Sequence, residues 1–153
     1  MNIHIFENET EVLVLSVEQL QKMAPHHFTI NERVPGIEGR AFDLATWYES
    51  WSKKSTNPTH IKVEAVDEFQ AMIPWDELDS AAILYEQNEK PLKKGFPIRL
   101  YVPDGSSDCL NVKSIVKIFF IRDQSLGNES SFGFKNTLDV SDLGKQYLKK
   151  KSE

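Results

Sequence analysis

Between Thr59 and Ile121 the hydrophobic period shortens to two, and this block limits the chain to folds built on a sheet. Ile61, Val63 and Ala65 alternate with Lys62 and Glu64; Phe69, Ala71 and Ile73 alternate with Gln70 and Met72. Asp67-Glu68 between them predicts a hairpin. Pro74 ends the second run, and Trp75 to Leu78 reads as one helical turn. Ala82 to Gln87 is a further strand closed by an Asn88-Glu89 turn. Ile98, Leu100 and Val102 alternate with Arg99 and Tyr101 before the turn signal Pro103-Asp104-Gly105. Ser114 to Ile121 is apolar enough for a strand buried on both faces.

The flanking segments carry helix signals. Val12 to Leu15 reads as a strand, and Ser16 with Gln19 three residues on forms a capping-box pattern that opens a helix over Val17 to Met23. His26 to Ile30 is a short strand, Asn31 to Gly39 a loop, and Phe42 to Trp51 a helix. Asp123 to Phe134, rich in Ser and Gly, reads as a loop, and Val140 to Lys149 as a terminal helix capped by Asp139 or Ser141. The expected class is α+β, a mixed β-sheet core with short peripheral helices, in one domain of 153 residues.

Charge and cysteine usage narrow the function classes. The net charge is -5; Lys145, Lys149, Lys150 and Lys151 against Glu153 give residues 145–153 a local +3, so residues 1–144 carry -8. So acidic a body argues against nucleic acid as partner. No apolar run approaches the length of a membrane span, and no export signal is visible, so the expected location is cytoplasmic. The single cysteine, Cys109, excludes an intrachain disulfide framework.

The order of these punctuation marks resembles the molybdopterin-binding domain of the sulfite oxidase family. The residues that carry the likeness are "THIKVEAVDEFQAMIPWDEL", "AAILYEQNEKPLKKGFPIRLYVPDG" and "CLNVKSIVKIFFI". It is clearest over residues 59–121 and weaker over 12–58, where "GRAFDLATWYESW" is similar to a Gly-x-x-Leu-x-x-Leu-Leu segment. The resemblance implies a pterin or molybdenum cofactor and, for a complete enzyme, oxidoreductase activity. The family ligates molybdenum through a cysteine thiolate between the strand matching His26 to Ile30 and the glycine matching Gly39. Here that stretch, "INERVPGIEG", holds no cysteine, with Asn31 or Glu32 about where the thiolate would stand. Soft thiolate suits such a metal; amide and carboxylate do not.

Three readings follow. The first is a non-catalytic or degenerate relative that binds a pterin or small anion. Its candidate residues are Ser106 and Ser107 with Gly105 as a nest of backbone N–H groups, Asn111 and Lys113 in the family's lysine segment, and Arg33 and Arg40 as oxyanion grips. The second is a working molybdenum oxidoreductase with Cys109 as the thiolate. The third is a protein-interaction module that uses the acidic surface or the aromatic helix Phe42 to Trp51. His26, His27 and His60 read as structural, and Trp47, Trp51 and Trp75 as core aromatics.

Overall fold

The computed structural model describes residues 1–135. The terminal helix expected over Val140 to Lys149 and the basic segment 145–153 lie outside the described residues. Among the described residues, two sheets and two α-helices make the α+β architecture. The strands are β1 (Ile3–Glu7), β2 (Thr10–Leu15), β3 (His27–Thr29), β4 (Arg40–Asp43), β5 (His60–Ala65), β6 (Phe69–Pro74), β7 (Ala82–Gln87), β8 (Lys90–Pro91), β9 (Arg99–Tyr101), β10 (Ile115–Ile121) and β11 (Ser131–Phe134). The helices are α1 (Val17–Met23) and α2 (Leu44–Trp51). Neither is long and apolar enough to cross a membrane.

One sheet has six strands in the order β11-β6-β5-β10-β1-β2. All its neighbours are antiparallel except β1 and β10. The second sheet runs β3-β4-β7, and the far edge of β7 pairs with β9 along its first half and β8 along its last. The inner faces of both sheets meet in the main core. Ile3, Ile5, Ile61, Val63, Ile73, Ile118 and Phe120 come from the first sheet and Phe42, Ile83, Tyr85 and Leu100 from the second. Leu20 of α1 and Leu44, Trp47 and Tyr48 of α2 close the same cluster.

Local chemistry accounts for the elements. Ser16 accepts from the Gln19 amide at 3.1 Å and the Gln19 side chain accepts from the Ser16 amide at 2.9 Å, so the capping box starts α1 where the sequence places it. The β5–β6 hairpin turns at Asp67-Glu68, with Glu68 at φ +70 and the Phe69 amide donating to the Asp67 carboxylate. The β7–β8 hairpin places Asn88 and Glu89 both at positive φ, the two-residue turn that matches strand twist.

Four expectations need correction. Phe42 belongs to β4, because Arg40 to Phe42 find ladder partners on both sides, and α2 begins only after Asp43 caps it through the Thr46 amide at 2.9 Å. Ile3 to Glu7 forms a strand that the reading omits, although Ile3 and Ile5 alternate with His4. Ser131 to Phe134, read as loop, pairs with β6. Lys62 and Glu64, read as the solvent side of β5, are buried along with the rest of that strand.

Gly39 shows how tightly the second sheet is covered. Its φ is +132, and a Cβ there would meet the Glu86 carbonyl oxygen at 2.4 Å and Leu84 Cδ1 at 2.8 Å. Gly39→Ala should therefore cost about 2–3 kcal/mol from strain and clash, a fall in Tm of about 6 °C or more. Gly127, which has nothing within 4 Å of a built Cβ, is the control, and Gly127→Ala should leave Tm nearly unchanged. Equal melting of the two variants would contradict this packing.

Candidate functional site

The outer face of the second sheet carries its own apolar cluster of Phe28, Ile30, Ala41, Ala82, Leu84, Leu92 and Tyr101. The segment after β3 folds over it. Ile30–Glu32 makes one 3-10 turn, and Val34 and Ile37 pack onto the cluster. The stretch that the family resemblance associates with the metal ligand is thus a structural cover, filled by its own side chains. The Glu32 carboxylate accepts from the Thr29 amide, and the loop offers an amide and carboxylates in place of a thiolate. That donor set does not fit molybdenum.

Arg33 fixes this cover. Its guanidinium pairs with the buried Asp43 at 2.7 Å, donates to the Ser80 and Ala81 carbonyls at 3.1 and 3.3 Å, and sits 4.1 Å from the centre of the Phe28 ring. Arg40 lies elsewhere. It pairs with Glu86 in the ladder, while Arg33 reaches beyond Ala82 at the opposite end of β7, about 13 Å away along the strand. The two arginines therefore do not converge on one oxyanion. Arg40 lines an open hollow of about 300 Å³ together with Thr29, Asn31, Gly39 and the carboxylates Glu38, Glu86 and Glu89. Three carboxylates around one guanidinium make a poor environment for an anion.

Arg40 also lies against the Tyr85 hydroxyl. Burial pushes the Tyr85 phenol above its ordinary range, opposed by that guanidinium. His27 completes the chain. Its Nε2 donates to the Ala24 carbonyl at 2.8 Å, and its Nδ1 shares a hydrogen bond with Tyr85 Oη at 2.8 Å. His27 is a structural histidine, and so is His60, whose Nε2 reaches the Gly127 carbonyl at 2.7 Å. Trp47 is fully buried, and Trp51 and Trp75 pack against the same core, so the aromatic side of α2 is spent on the interior.

The Gly105–Asn111 turn is held by hydrogen bonds within itself and to its neighbours. The Gly105 amide donates to the Val102 carbonyl, the Ser106 amide to the Glu77 carboxylate, and the Cys109 amide to Ser107 Oγ. Ser106 Oγ meets Ser130 Oγ at 2.6 Å, and Asn111 Oδ1 accepts from the Val102 amide at 2.7 Å. Two of the three amides of the nest reading, those of Gly105 and Ser106, already have acceptors, one of them an anion. Cys109 is exposed in a 3-10 turn.

Lys113 has different company. Gly95 is buried at φ +87, and a Cβ built there would lie 3.3 Å from Lys113 Cβ and 3.7 Å from Arg99 Cδ. The Ser114 amide, from a residue at φ +58, donates to the Gly95 carbonyl at 3.2 Å and locks the two segments together. Arg99 is the residue that the sequence reading missed as a site candidate, treating it only as an alternation mark. Its guanidinium carbon is 4.9 Å from the Tyr101 ring centre, and its Nε is buried with no hydrogen-bond partner among the described residues. Lys90, Lys93 and Lys94 precede it in sequence. Among the described residues no group of three or more His, Cys, Asp or Glu is arranged to hold a metal ion. Comparison with protein-family models and with curated proteins gives no match.

Asp43 supplies a pH test of the cover. Burial works to raise its carboxyl, but the Thr46 amide and the Arg33 guanidinium outweigh it and hold the group below the ordinary carboxylate range. The stability linked to ionised Asp43 is therefore complete above about pH 4 and drains away as pH falls through the lowered folded value. Asp43→Asn should lower Tm at pH 7 and flatten the loss of stability below about pH 4. An unchanged acid limb in the variant would remove Asp43 from this role.

Proposed function

We propose that the chain is a non-catalytic relative of the sulfite oxidase molybdopterin domain and holds a small anion, the phosphate of a pterin being the leading candidate. One observation carries the reading. The stems of Arg99 and Lys113 lie beside Gly95, and Arg99 has a buried Nε–H without an acceptor among the described residues. An unsatisfied buried donor is costly, and an oxyanion would satisfy it with a charge-assisted bond. The missing Cβ at Gly95 lets the Lys113 and Arg99 stems lie close against the backbone. Tyr101 holds the guanidinium in place, so little rotamer freedom is lost on binding.

The chemistry is recognition. The loop 30–39 lacks a soft donor and is committed to covering the sheet, so no redox step is assigned to this chain. Lys113 retains the place that the family resemblance gives it, joined now by Arg99.

Calorimetric titration with pyrophosphate and with a phosphate-bearing pterin tests the reading. Arg99→Met should weaken binding about tenfold or more and Lys113→Met by a smaller factor. Arg40→Met should leave affinity unchanged. Equal affinity in wild type and Arg99→Met, or no binding by a folded wild type, would end the proposal. Protein made in a host that synthesises molybdenum cofactor should contain no stoichiometric molybdenum.

A further inference from the structure

Asp and Glu are unevenly placed along this acidic chain. None falls between Lys90 and Pro103, and none between Cys109 and Arg122. The fold lays these two acid-free stretches side by side. The Leu100 amide donates to the Val112 carbonyl at 2.8 Å, the Ile115 amide to the Ile98 carbonyl at 3.0 Å and the Ser114 amide to the Gly95 carbonyl at 3.2 Å. A cationic corner results, with Lys93, Lys94 and Lys113 exposed around the half-buried Arg99. Phe96 stands among them, next to Gly95 and 37% exposed. Every other phenylalanine packs against a second aromatic ring. Phe96 makes no such contact among the described residues.

We infer that the ligand of this corner is a phosphate joined to a flat heteroaromatic ring, and that the ring stacks on Phe96. The inference rests on the anion site proposed above and adds the residue that selects among anions. The two subsites are adjacent. Phe96 follows Gly95 directly, its Cα about 3.8 Å away, while Lys113 Cβ and Arg99 Cδ lie 3.3 and 3.7 Å from a Cβ built at Gly95. A ring on Phe96 and a phosphate at the cationic stems therefore fit within one small molecule. Stacking buries the exposed apolar face of Phe96 and tolerates any ring with a π-face, so the phenylalanine selects for a ring as such. Lys93 and Lys94 raise the local anion concentration without having to touch the ligand. A pterin and a purine nucleotide share this chemistry.

Calorimetric titrations of the full chain with pyrophosphate, a phosphate-bearing pterin and adenosine diphosphate test it. Wild type should bind at least one of the two ring compounds about tenfold or more tightly than pyrophosphate, and the tighter of the two identifies the source of the ring. In Phe96→Leu, which keeps an apolar side chain but has no π-face, that preference should fall about tenfold, and Phe96→Trp should restore it. The protons of the bound ring should shift upfield with wild type and not with Phe96→Leu. Pyrophosphate binding without preference for either ring compound, or a preference that Phe96→Leu leaves intact, would overturn the inference and leave the anion site standing. Failure of all three probes to bind the folded wild type would overturn both.

Discussion

The ion pair between Arg33 and Asp43 is the fastening on which the second sheet depends. Asp43 ends β4, caps α2 and answers a guanidinium that also holds the Ser80 and Ala81 carbonyls before β7. The loop carrying Arg33 is thereby pulled down, and Val34 and Ile37 cover the apolar outer face. Removing one member would leave a buried charge without its partner, which costs far more than an exposed pair contributes. Gly39 allows the far end of the same loop to lie against the β7 backbone.

Where the resemblance would put a metal ligand, this chain spends its residues on closing a sheet. A second centre, around Gly95, is built differently: two cationic stems meet at a buried glycine, and one nitrogen has no partner among the described residues. The first arrangement contributes stability, the second is the one proposed for recognition, and they draw on different residues.

Much of the fold was legible in the residues. The capping box at Ser16, the period-two runs and the turns at Asp67-Glu68 and Asn88-Glu89 are local signals, and local hydrogen bonds fulfil them. What escaped was set by partners distant in sequence. Phe42 looks helical beside Ala45 and Tyr48, but β3 and β7 claim it for a ladder. Lys62 and Glu64 look solvent-facing until their side of the sheet is found to be buried. The candidate site was half legible. Lys113 was picked out by its place in "NVKS", whereas Arg99 gave no signal, because its value comes from Gly95 and Tyr101 and not from its neighbours in the chain.

The central claim is that anion recognition sits at the Gly95 corner. A titration of labelled protein with pyrophosphate, followed through backbone amide shifts, tests it most directly. The account predicts saturable shifts concentrated at Gly95, Arg99, Lys113 and Ser114, with the Gly105–Cys109 turn and the Arg40 hollow silent. Shifts centred on either of those two places, or none at all, would contradict it.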